Sequence, residues 1–257
     1  MGPGETLALK LVLTPLLVGG ASLAARRWGS EVGGWLVGIP LTSAPVTFFL
    51  AIGPGPDFAA QAAVGILAGT ISQAAFALAY AWGARKFSWE VCLATATIGF
   101  VVVTAVMLAL TGGPLVTFAI AVIASLALMP RRSGRRSQPV PLPRWDLPAR
   151  MVVATGLVVG LTSAAPLLGP RLAGLITPYP LYAAVLAVFA HRMQGAGAAA
   201  GVLRGLLLGL FAFAGFFLVI ALYLEPLGIS LAFAAAIVVA LMVQGATLFA
   251  GRRLALA

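Results

Sequence analysis

The sequence predicts an all-α polytopic membrane protein of about nine transmembrane helices, built as an inverted-topology repeat of four spans, one connector and four spans. Three observations predict it. The chain is far more apolar than a water-facing fold, its basic residues gather in alternate loops, and its two halves match each other at a shift of 140 residues.

Hydrophobic residues make up 61% of the 257 residues and charged residues 9%. A soluble domain carries roughly 25% charged residues and 45–50% apolar ones. So few charges cannot cover so much apolar surface in water, and the solvent is expected to be lipid. Apolar runs near the roughly 20 residues that a spanning helix needs fall at about 5–25, 34–52, 58–83, 89–110, 113–129, 150–168, 172–190, 197–224 and 229–250.

The loops test that count. With the N-terminus outside, Arg26, Arg27, Arg85, Lys86, Arg131, Arg132, Arg135, Arg136, Arg144, Arg150, Arg192, Arg252 and Arg253 all fall inside. Outside there is Arg171, with Lys10 near the outer end of the first span and the acids Glu5, Asp57 and Glu225. This is the positive-inside pattern, and it predicts a multi-pass membrane protein with the N-terminus outside and the C-terminus cytoplasmic. The net charge of +10 is thereby read as topological, and no nucleic-acid partner is expected. Arg204 and Glu90 lie near the cytoplasmic ends of their spans, where a charge snorkels to the interface or gates an inward-facing site. The segment 130–150, rich in Arg and Pro, is the one polar linker.

In the self-match, Gly29, Gly34, Pro40, Leu41, Phe49, Gly55, Gly65, Gly69 and Phe76 fall on Gly169, Gly174, Pro180, Leu181, Phe189, Gly195, Gly205, Gly209 and Phe216 without a gap. Matched Gly, Pro and Phe in one register are hard to obtain from composition alone, and such a repeat reorganises the whole reading. The fifth span has no partner, so the second unit is turned over. The expected organisation is a first four-helix repeat over 1–110, a connector helix and basic loop over 111–149, and a second, inverted repeat over 150–257. The small-xxx-small patterns Gly65/Gly69 and Gly205/Gly209 are packing motifs, and the Gly65–Gly205 match predicts contact between the two spans that carry them.

The stretch from Ala173, with Ala173-Gly174-Leu175, Pro180 and Gly195, resembles the GlpM/YdgC family of small bacterial inner-membrane proteins; Gly33-Gly34-Trp35, Pro40 and Gly55 match more loosely. The resemblance implies a four-span unit, here fused in tandem, and leaves the biochemical role open.

Chemistry is expected where the spans are interrupted. In the second span lie Pro40, Thr42, Ser43, Pro45 and Thr47; their counterparts are Thr177, Pro178, Tyr179, Pro180 and Tyr182. Proline removes a backbone donor and clashes with the preceding turn. Paired interrupted spans at corresponding positions are the sequence pointer to a midplane site. Two readings stay open, a solute site or a kinked helix pair whose hydroxyls cap the freed carbonyls. Gln61 and Gln73 in the third span are the polar helpers, with Asp57 as a helix cap.

One cysteine, Cys92, and one histidine, His191, exclude a disulfide framework and a multi-histidine metal site. No Walker loop, no paired intramembrane carboxylates and no nucleophile with an adjacent base occur. The expectation is therefore not an enzyme, without cofactor or metal, but a small permease or transporter moving a small solute through a site at the interface of two inverted repeats. The alternatives are a flippase-like, lipid-handling or envelope-assembly protein, and a non-transporting scaffold subunit. The expected partners are membrane lipids and the solute, with the chain acting as monomer or homodimer.

Overall fold

A computed structural model describes residues 3–40, 43–52, 55–109, 113–127, 143–160 and 178–256. Every regular element among the described residues is a helix: α1 (Pro3–Trp28), α2 (Ser30–Val37), α3 (Ser43–Ile52), α4 (Pro56–Gly83), α5 (Trp89–Ala109), α6 (Pro114–Ala127), α7 (146–160), α8 (Leu181–Gln194) and α9 (Ala196–Leu256).

Local sequence explains the helix ends. α4 and α6 begin on Pro56 and Pro114, where the missing N–H costs nothing and the fixed φ is already helical. Gly55 and Gly195, with φ of 123° and 87°, reverse the chain immediately before α4 and α9, in a backbone region other residues rarely adopt. α9 is two helices. Gly228, two residues after Pro226, has φ 74° and ψ 169°, so the ladder stops there. The arms fold back on one another, with Gly215 of the first arm lying against Val239 and Val243 of the second.

Among the described residues, three stretches are long and apolar enough to cross a membrane: Pro56–Gly83, Trp89–Met107 and Ala196–Thr247. Fewer described stretches qualify than the nine expected spans, for identifiable reasons. The expected second span is divided at Gly38–Pro40 into the short α2 and α3. The eighth and ninth merge into the single stretch of α9. The sixth and seventh run into 161–177, outside the described residues. The outward faces suit lipid: on the second arm of α9, Leu231, Ile237, Val238, Leu241 and Met242 are all exposed, an apolar surface that soluble monomers avoid.

The chain forms two compact units. The first comprises Met1–Val37, Phe76–Ile98 and Pro130–Leu206; the second comprises Gly38–Ala75, Gly99–Met129 and Leu207–Ala257. The first unit packs α1, α7 and α8 around Val18, Ala154 and Val185, with Leu181, Tyr182 and Phe189 against them. Its α2 meets the start of α9 backbone to backbone. A Cβ on Gly34 would collide with the Val202 carbonyl, and one on Gly205 with the Glu31 carbonyl. Gly205 thus serves α2, whereas a Cβ on its sequence match Gly65 would meet nothing within 4 Å. The second unit is held by aromatic contacts, Phe48 on Phe233 (5.2 Å) and Phe216 on Phe233 (6.1 Å). A buried hydrogen bond of 2.8 Å from Thr104 Oγ1 to Ser72 Oγ joins α5 to α4 there.

Candidate functional site

The proline-bearing segments both open a helix. Pro40 is buried ahead of α3, and its carbonyl accepts the Ala44 N–H at 2.9 Å. Pro45 falls in the first turn of α3, where proline is tolerated. Ser43 is half-buried. Thr47 is fully buried, and its hydroxyl donates back to the Ser43 carbonyl at 2.9 Å. Pro180 caps α8, and its carbonyl accepts the Ala184 N–H at 2.8 Å. Pro178 is half-buried beside it. Thr42 and Thr177 lie outside the described residues.

The tyrosines of the second segment reach neighbouring helices within the first unit. Tyr179 OH shares a hydrogen bond of 2.9 Å with Thr97 Oγ1 of α5, and its ring meets Phe76 edge-on. Tyr182 OH shares one of 3.2 Å with Thr14 Oγ1 of α1. Gln61 is exposed and donates to Asp57 Oδ1 at 3.0 Å, one turn back on α4. Gln73 is buried, at 7% exposure. Pro40, Ser43, Pro45, Thr47, Gln61 and Gln73 belong to the second unit, and Pro178, Tyr179, Pro180 and Tyr182 to the first.

A second constellation, which the sequence did not single out, lies in the first unit. Asp146, at the start of α7 and fully buried, accepts from Arg26 at 2.8 Å and from two nitrogens of Arg150 at 3.1 Å. A buried carboxylate needs such charge-assisted partners, and here it ties the end of α1 to α7. Arg150 also stacks on Phe189 of α8. Arg204 donates to Glu31 of α2 at 3.2 Å, reinforcing the glycine-mediated approach of the same two helices. The available signal was the Asp146/Arg150 spacing of four, an acid in an otherwise basic stretch.

His191, near the end of α8, lies with Nδ1 3.4 Å from Tyr80 OH, and the two rings meet edge to face. Burial holds its pKa below the usual histidine value, against the opposing pull of a hydrogen bond to the Ala84 backbone and the charge of Glu90. Next to it Arg192 covers the Trp89 ring at 5.4 Å. No group of three or more His, Cys, Asp or Glu that could hold a metal ion occurs among the described residues. No family model, curated protein or solved structure matches this chain.

Proposed function

We propose that the chain is a small integral-membrane permease of the inner membrane, with nine spans, an outer N-terminus and two inverted halves. Its solute would contact the proline-opened segments 38–47 and 177–182. One observation carries this reading. Pro40 and Pro180, and then Gly55 and Gly195, stand 140 residues apart and perform the same local work. Each proline carbonyl accepts from the amide four residues on, and each glycine reverses the chain with positive φ before a long helix.

The same offset continues beyond them. The break between α4 and α5 ends at Ser88, and that within α9 falls at Gly228. Contacts follow too. Arg192 of α8 on Trp89 of α5 and Phe48 of α3 on Phe233 of α9 join corresponding helix pairs, each across the two halves. Such exchange suits halves related by a two-fold axis in the membrane plane.

The test is uptake of a solute panel into liposomes holding the purified protein, with Pro40→Ala and Pro180→Ala as paired variants. Uptake that both substitutions abolish, with helix content intact, is the expected result. No uptake of any solute across imposed proton or sodium gradients would contradict it. A lipid-handling role is the second reading, favoured by the cationic end of the first unit.

A further inference from the structure

We propose that one end of the first unit is a binding surface for anionic phospholipid headgroups, assembled from four separate chain segments. The inference rests on the membrane reading but not on transport.

Side-chain contacts join these segments into one surface. Arg26 reaches Asp146, which also holds Arg150. Arg150 stacks on Phe189 of α8. Three residues further along α8, Arg192 covers Trp89, and His191 meets Tyr80 in the last turn of α4. The ends of α1 and α8, the start of α7 and the turn between α4 and α5 therefore meet. Segments far apart in sequence are brought to one end of a compact body.

The chemistry of that end is one-sided. Arg26, Arg27, Arg85, Lys86, Arg144 and Arg192 are exposed there, and Glu90 is the exposed acid beside them. Two further acids are committed, Asp146 to Arg26 and Arg150, and Glu31 to Arg204. Tryptophans accompany the cations. All five in the chain belong to this unit, and Trp28, Trp82 and Trp145 are 62%, 67% and 58% exposed.

Exposed indole beside exposed guanidinium is the composition of a headgroup layer, where an amphipathic ring sits between hydrocarbon and water. A soluble acidic protein would leave these indoles facing water. The second unit offers the contrast, with Asp57 and Glu225 exposed and Arg252 and Arg253, close to the end of α9, as its basic residues. Near a membrane surface each basic residue strengthens attraction to anionic lipid by about fivefold at low salt.

The tryptophans report on the surface directly. In detergent–lipid mixtures, their fluorescence is quenched by brominated phosphatidylglycerol or by brominated phosphatidylcholine. The expected result is half-maximal quenching at a several-fold lower mole fraction of the anionic lipid, with the preference erased in 1 M salt. The combined variant Arg27→Gln, Arg85→Gln, Lys86→Gln and Arg144→Gln spares the Arg26–Asp146–Arg150 cluster. It should lose the preference while its quenching by phosphatidylcholine stays unchanged, which also reports that it has folded. If it fails to fold, the double variants Arg27→Gln/Arg144→Gln and Arg85→Gln/Lys86→Gln should each lose part of the preference. Equal quenching of the unaltered protein by both lipids overturns the proposal and leaves the cations to another partner. Quenching by neither lipid overturns the membrane reading beneath it.

Discussion

Arg192 covering Trp89 in the first unit and Phe48 meeting Phe233 in the second are helix-to-helix contacts of nearly the same length, 5.4 and 5.2 Å. Their chemistry is opposite. The contrast extends along the same helices: Tyr179 with Thr97, and Tyr80 with His191, are polar pairs in the first unit. The positions 140 residues away hold Ile39, Ile237, Ile220 and Ala51. Hydrogen-bonding and cationic side chains thus fill these contacts in the first unit, and aliphatic and aromatic ones in the second. Packing alone is enough to hold helices together, so the polar pairs set the first unit apart chemically from the second.

The comparison can be broken most severely at Asp146. Asp146→Ala strands Arg150 in a buried place and frees Arg26, and breaking a buried ion pair costs about 3–5 kcal/mol; unfolding titrations in mixed detergent should show a loss of that size. Next comes the helix contact at Gly205. Gly205→Ala puts a methyl group into the Glu31 carbonyl and should cost about 3 kcal/mol through forced backbone shift. Gly65→Ala, into open space in the second unit, should instead gain up to about 1 kcal/mol from helix propensity. Equal effects at the two glycines would remove the asymmetry. Smaller again, Thr97→Val should cost about 1 kcal/mol through the lost Tyr179 bond.

The smallest effect is a pH dependence at His191. Its folded pKa lies below the usual 6.5, so the unfolded chain takes up the proton first. Stability is fully present above pH 6.5 and is lost as pH falls from there toward the folded value. His191→Asn should flatten that slope, read as unfolding midpoint against pH.

Helical class and the main turns were legible from the residues, because Gly55, Gly195 and Pro226–Gly228 act through their own backbone chemistry. The division of the second span was legible only in part: Pro40 announced a fault, but the resulting pair of short helices depends on Gly34 finding the Val202 carbonyl. Partnerships between helices were not legible. In lipid a helix is apolar all round, so no stripe reveals which face turns inward, and the register that brings Glu31 to Arg204 or Arg26 to Asp146 leaves no periodic trace. The hydroxyls of Thr47, Tyr179 and Tyr182 were legible as polar groups in apolar spans, but not the local bonds that engage them.

The inversion of the two halves is tested most directly by thiol labelling at matched positions. Asp57 and Gly197 stand 140 residues apart and are both exposed, while the single native cysteine, Cys92, is buried. A membrane-impermeant maleimide applied to intact spheroplasts should label Asp57→Cys, and should reach Gly197→Cys only after the membrane is opened. Labelling of both from the same side would contradict the inverted repeat, and with it the permease built on it.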